Sequence, residues 1–286
     1  MSQPPFSAPN QLPQISFTAA DFADQFVASL KHYGFAAIVN HPLDDARIHR
    51  IYREWLAYFS SGDAAFFQMD PVHQDGFFSL QHAEHAKGYV DRDHKEYFQF
   101  YPWGRCPESL RDDLMAHFES AVQLGAQLLE NIAERLPKEI LDRLSEPLSS
   151  MIQGSEQSML RVLHYPPIPP GPEMLRAAPH EDINLLTLLP AADGPGLELR
   201  LRSGEWISVA HYPGQLIVNI GDMLQEATDG FFPSTTHRVA TPDADHASSS
   251  RMSLPLFLHP RPEVVLSQRY TARSYLLQRL DELGVT

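Results

Sequence analysis

At 286 residues, 43% hydrophobic and 20% charged, the chain has the composition of an ordinary soluble globular protein with ample length for a sizeable core. A formal net charge of −14 argues against unaided binding to nucleic acid or an anionic membrane, since both need clustered positive charge. One cysteine, Cys106, rules out an internal disulfide framework. With no basic leader and no apolar run near the roughly 20 residues of a membrane helix, a cytoplasmic protein is expected.

Residues 1–13, rich in Pro, Ser and Gln, are expected to form a loose arm before a short strand at 14–17. Thr18 and Asp21 make a variant capping box ahead of a helix whose apolar face is Phe22, Phe26, Val27, Leu30 and Tyr33. Gly34 ends it, and Phe35–Val39 reads as a buried strand. Asp44 or Asp45 caps a second helix that buries Ile48, Ile51, Tyr52, Trp55, Leu56 and Phe59. The stretch that follows reads as loops. His73-Gln74-Asp75 and His94-Lys95-Glu96 both have ligand-like spacing, but their polar surroundings predict solvated loops. Tyr89, Tyr97, Phe98, Phe100 and Tyr101 are expected mainly in core packing. Residues 110–136 form the strongest predicted helix, with Leu114, Phe118, Val122, Leu128, Leu129, Ile132 and Leu136 at helical intervals and Pro137 ending the run. A short helix is expected at 138–144.

From Ser158 the period shortens to that of strands. Segments 159–165, 184–189, 197–201, 206–210, 215–219, 237–240 and 252–258 are separated by turn signals such as Asp193-Gly194-Pro195-Gly196 and Pro213-Gly214. Such short, evenly punctuated strands argue for a sandwich or rolled barrel rather than a parallel α/β sheet. Strand count alone also permits an immunoglobulin-like sandwich. The polar stretch 243–250 suits either a flap or an ordinary hairpin loop. Thr271 opens a closing helix with Tyr275, Leu276 and Leu280 facing inward.

Residues i and i+2 of a strand point to the same side, so His180 and Asp182 can share one metal while Glu181 points away. His237, on a later strand, completes a set of two histidines and one carboxylate, which suits non-haem Fe(II) with open positions opposite. Arg251 and Ser253 are again an i, i+2 pair, and an arginine fork matches a carboxylate with two parallel bonds. His-x-Asp alone carries no weight, because this composition yields about one by chance. The copy at residue 180 differs from that at residue 73 because it opens the run of strands that ends in His237 and Arg251.

The ordered set His180-Glu181-Asp182, Thr187, Gly221-Asp222, Thr228-Asp229-Gly230, His237-Arg238-Val239 and Arg251-Met252-Ser253 resembles the isopenicillin-N-synthase-like branch of the Fe(II)/2-oxoglutarate oxygenases. The resemblance implies a mainly β protein with flanking helices: a double-stranded β-helix (jelly-roll) core at 151–286 and a mostly helical N-terminal region at 1–150 that packs on the barrel and lines its mouth, in part through residues 93–98, together one structural unit. It implies Fe(II) on His180, Asp182 and His237, 2-oxoglutarate on Arg251, Ser253 and Tyr165, and dioxygen as co-substrate. The reaction implied is oxidation of a small organic molecule, by hydroxylation, desaturation or cyclisation, with release of succinate and carbon dioxide, by a monomer or homodimer. One departure stands out: where many relatives read Asn-Tyr-Tyr-Pro, this chain has Leu163-His164-Tyr165-Pro166, and Leu163 offers no hydrogen bond to a 2-oxo acid. Two other readings remain open. One is an iron oxidase of the same fold that uses no 2-oxoglutarate; the other is a non-enzymatic, metal-stabilised binding module.

Overall fold

Apolar residues recurring at helical intervals form helices close to the expected bounds. Strand β1 (Gln14–Ser16) leads to α1 (Phe22–Tyr33), which buries the expected five side chains. The capping box does not form: Asp21, at ψ 18°, is not extended and its side chain makes no cap bond. Gly34 ends α1 in the left-handed region at φ 71°, and β2 (Phe35–Val39) follows. Asp44 caps α2 (Asp45–Ser61) by accepting from the Arg47 N–H. The long helix α3 (Glu108–Ala133) precedes the one-turn helices α4 (Lys138–Leu141) and α5 (Leu148–Met151). The computed structural model describes residues 11–80, 93–167, 175–240 and 249–282. Residues 1–10 of the expected arm, Tyr89, most of the stretch 166–172, whose five prolines predict an extended linker, and most of the 243–250 stretch lie outside them.

The region expected as loops contains two strands, β3 (Gly76–Phe78) and β4 (Glu96–Phe100). Neither half of the solvation expectation holds for the acids involved. Asp75 is 2% exposed, and its carboxylate accepts from the Arg105 backbone N–H at 2.6 Å and from the guanidinium at 2.9 Å. Lys95 is buried against Asp93 at 2.7 Å. His73, by contrast, is exposed as expected.

The remaining strands are β5 (Met159–Tyr165), β6 (Ala177–His180), β7 (Leu186–Pro190), β8 (Leu197–Arg200), β9 (Trp206–Ser208), β10 (Gln215–Ile220), β11 (His237–Val239), β12 (Arg251–Ser253) and β13 (Leu256–Leu258). Leu254-Pro255 splits the single strand expected at 252–258, because proline has no N–H for the ladder. A helix that was not expected, α6 (Asp222–Ala227), follows β10, and α7 (Ala272–Glu282) closes the described chain. Tyr275 and Leu276 of α7 pack against the core. Among the described residues no helix is long and apolar enough to cross a membrane.

The strands form a nine-stranded sheet, ordered β1-β2-β10-β7-β13-β5-β4-β3 with β12 also on β5, and a four-stranded sheet ordered β6-β11-β8-β9. Together they make a double-stranded β-helix. Each strand of the larger sheet sends alternate residues to opposite faces. On β5, Leu160 and Val162 enter the main core shared with α1, α2 and α3, while Arg161, Leu163 and Tyr165 face the interior between the sheets. The N-terminal region contributes strands as well as helices: β2 pairs with β10 and β4 with β5.

Candidate metal centre

Two strands and one loop bring the predicted ligands together. His180 ends β6, Asp182 lies two residues beyond it, and His237 opens β11, its Cα in register with His180. One nitrogen from each ring and one Asp182 oxygen all lie within 4.8 Å of one another. Asp182 Oδ1 is 3.8 Å from His237 Nε2 and 3.9 Å from His180 Nε2, too far for a hydrogen bond. Glu181 turns away, as expected, and accepts from the Thr236 hydroxyl.

The other atoms of these side chains are already committed. His180 Nδ1 lies 2.8 Å from the Ala178 carbonyl and His237 Nδ1 lies 3.1 Å from the Thr235 carbonyl. A carbonyl only accepts, so each Nδ1 carries the proton and each Nε2 keeps its lone pair. Asp182 Oδ2 accepts from Thr187 Oγ1 at 2.6 Å and Asn219 Nδ2 at 2.8 Å, and Thr187 accepts in turn from Asn184. Three lone-pair atoms therefore point at one spot with no proton between them, an arrangement that fits a cation. Desolvation in the cavity, then the neighbouring His237, pushes His180 down to about 4. Burial pushes the Asp182 carboxyl up, but His237, His180 and the two side-chain donors outweigh it and hold it below the usual range.

The loop that carries Asp182 is braced by α6, whose Asp222 and Met223 N–H groups donate to the Asp182 and Asn184 carbonyls at 2.8 and 3.0 Å. Gly221 makes that approach feasible, since a Cβ there would collide with the Asn184 backbone and side chain.

Arg251, Ser253 and Tyr165 line the same cavity as the three ligands. In the β12–β5 ladder Arg251 is opposite Tyr165 and Ser253 is opposite Leu163, which puts all four side chains on the interior face. Arg251 is 3% exposed, donates from Nε to the Gly194 carbonyl at 3.1 Å and lies 5.1 Å from the Tyr165 ring. Its Nη1 is buried without a partner. A buried cationic donor with nothing to bind is expensive, and an incoming carboxylate relieves that cost.

Several cavity residues were not anticipated. Asn219 and Arg161 follow from the alternation of β10 and β5 once those strands are placed. Arg161 donates to Gln99 at 2.9 Å and lies over the Tyr97 ring at 4.7 Å. Lys95 reaches the cavity wall because Asp93, which pairs with it, also accepts from the Ala178 N–H at 2.8 Å. No local signal marks that link. Phe35, Leu189, Leu197, Val239 and Phe257 supply apolar wall. Cys106 lies elsewhere, half-buried, with burial pushing its thiol up to about 12, which disfavours the thiolate.

Comparison with known proteins follows the same lines. The profile of the 2OG-Fe(II) oxygenase superfamily matches residues 156–260. The crystal structure of a candidate oxygenase from Shewanella oneidensis is 49% identical and superposes with a TM-score of 0.88 over 96% of this chain and 100% of that one. A candidate 2OG-Fe(II) oxygenase family protein from Caulobacter crescentus is 31% identical, with a TM-score of 0.78 over 95% of this chain and 99% of the other. Feruloyl CoA ortho-hydroxylase 2 of Arabidopsis thaliana is 33% identical over 162 residues, 56% of this chain; the match spans only 42% of that hydroxylase. Near-complete coverage of two bacterial structures, together with a profile match that spans all three metal-ligand candidates, shows that the chain belongs to the 2OG-Fe(II) oxygenase superfamily.

Proposed function

We propose that the protein is an Fe(II)- and 2-oxoglutarate-dependent oxygenase that oxidises a small organic molecule. The observation that carries this reading is the convergence of two unprotonated Nε2 atoms and one carboxylate oxygen in a cavity that also holds the unpartnered Nη1 of Arg251. In this reading His180, Asp182 and His237 hold the iron, and Arg251, Ser253 and Tyr165 receive the distal carboxylate of 2-oxoglutarate. When bound, the iron and 2-oxoglutarate together supply an oxidant drawn from dioxygen, with release of succinate and carbon dioxide.

The chain's own residues bind, orient and exclude. Thr187 and Asn219 hold Asp182 so that Oδ1 faces the metal position, and the Ala178 and Thr235 carbonyls fix both imidazole tautomers. Phe35, Leu189, Leu197 and Val239 keep the interior apolar and limit water beside the reacting groups. Leu163 donates nothing, so the co-substrate's polar contacts fall on the arginine side of the cavity. We further assign residues 1–150 and 151–286 to one structural unit, a small molecule as substrate and the cytoplasm as location; the shared nine-stranded sheet supports the first and the single cysteine the last.

Incubation with Fe(II), 2-oxoglutarate and dioxygen is expected to form succinate, and His237→Ala is expected to abolish it. Oxygen uptake without succinate would favour the iron oxidase. Failure of both, with a metal still raising the melting temperature, would favour the binding module.

A further inference from the structure

Two serines lead into Arg251, and each is held by a partner distant in sequence. Arg176, 2% exposed, donates from Nη2 to the Ser249 carbonyl at 2.8 Å. Ser250 Oγ lies 3.1 Å from His164 Nε2, and His164 Nδ1 lies 2.8 Å from Glu96 Oε1. The carboxylate accepts the Nδ1 proton, which leaves Nε2 to accept from the serine hydroxyl. Phe59 fixes the imidazole plane: the two rings stack with centroids 5.6 Å apart at 15°.

Glu96 and His164 lie on the reverse side of the wall that faces the metal, whereas Arg176 reaches Ser249 from the segment just before β6. His164 is paired with Glu96 on β4 and with Met252 on β12 in the ladder, and it projects toward the helices. Its neighbours Leu163 and Tyr165 project into the cavity, as does Arg251. A serine, a histidine and an acid in this order also make the relay of nucleophilic hydrolases. Here, however, none of the three lines the metal cavity, and the histidine is packed against a buried phenylalanine. The arrangement is a strut. Strand β12 is three residues long and begins at Arg251, whose side chain is hydrogen-bonded to the Gly194 carbonyl, so the residues just before it bear on where the guanidinium points.

We propose that Glu96, His164, Ser250 and Arg176 are positioning residues for the co-substrate. They hold residues 249 and 250 so that the Arg251 guanidinium is aimed into the cavity before a 2-oxo diacid arrives, and the ordering cost is met on folding rather than on binding. This rests on the reading of Arg251 as the carboxylate anchor.

The test is calorimetric titration of the full-length, Mn(II)-loaded protein without oxygen, using 2-oxoglutarate and, in parallel, 2-oxobutyrate, which lacks the distal carboxylate. Ser250→Ala and Glu96→Gln should each weaken 2-oxoglutarate binding about tenfold, the scale of one lost hydrogen bond in a buried network. Affinity for 2-oxobutyrate and for Mn(II) should stay at the wild-type value, and Ser250→Thr, which keeps the hydroxyl, should restore 2-oxoglutarate binding. The proposal is overturned if both variants bind 2-oxoglutarate as wild type does while Arg251→Ala does not, or if both oxo acids weaken equally, which would mean general loosening. Wild-type affinity in Arg251→Ala would sink the anchor reading itself, and the strut with it.

Discussion

Asp182 divides its two oxygens between two tasks. Oδ2 is saturated by Thr187 and Asn219, and this leaves Oδ1 as the atom that meets the imidazoles. Thr187→Val keeps the shape of the side chain and removes the donor. It should weaken divalent-metal affinity by about 10- to 100-fold, the usual effect of losing a group that orients a ligand, with fold unchanged by circular dichroism; competitive titration against a metal-sensitive dye measures it. The pairing of His180 with Asp182 was readable from their spacing, but the strand expected to carry both ends at His180, and Asp182 reaches the same spot from the loop beyond it. The contribution of Asn219 was not readable, since it depends on β10 lying beside β7 and turning that residue inward. Asp75 shows the opposite failure: its polar neighbours suggest water, yet Arg105, thirty positions later, lets it stay buried as a charge.

Among the elements, α3 depends on one small residue. Gly125 faces β13 and β7, and a Cβ there would collide with Leu258 Cδ1, itself fully buried. Gly125→Ala gains about 1 kcal/mol of helix propensity but overpacks the contact at a cost of about 1–3 kcal/mol. The net expectation is a loss of stability of about 1 kcal/mol in urea unfolding, and Leu258→Val in the same chain should recover part of it. Helices α1, α2 and α3 were legible because their apolar residues repeat at helical intervals over three or more turns. Strand β4 was not. Its approach is dominated by charges, and the pairing of Lys95 with Asp93, itself bonded to the Ala178 N–H, joins groups brought together by tertiary packing. At six residues, α6 is too short to show a period, and what holds it is its bonding to the Asp182 loop.

At the level of the whole molecule, metal binding and folding are linked. The three donor atoms come from segments that meet only in the assembled β-helix, so a metal that binds them favours the folded chain. With free Mn(II) at one hundred times its dissociation constant, the native state should gain about 2.7 kcal/mol. A rise in melting temperature with Mn(II) would register this, and His237→Ala should remove most of it. The rolled β architecture was legible from short strands and regular turns, but its closure was not. The N-terminal strands lie at both flanks of the larger sheet, and nothing in residues 14–39 or 76–100 announces partners at 215–220 and 159–165. That placement governs how the protein comes into being on the ribosome. Strand β2 waits for a neighbour more than 170 residues downstream, and β4 for one about 60 downstream. A nascent chain stalled near its middle would present unsatisfied strand edges to its surroundings, so chaperone demand during synthesis should peak before the last third has emerged and fall once β10 is made.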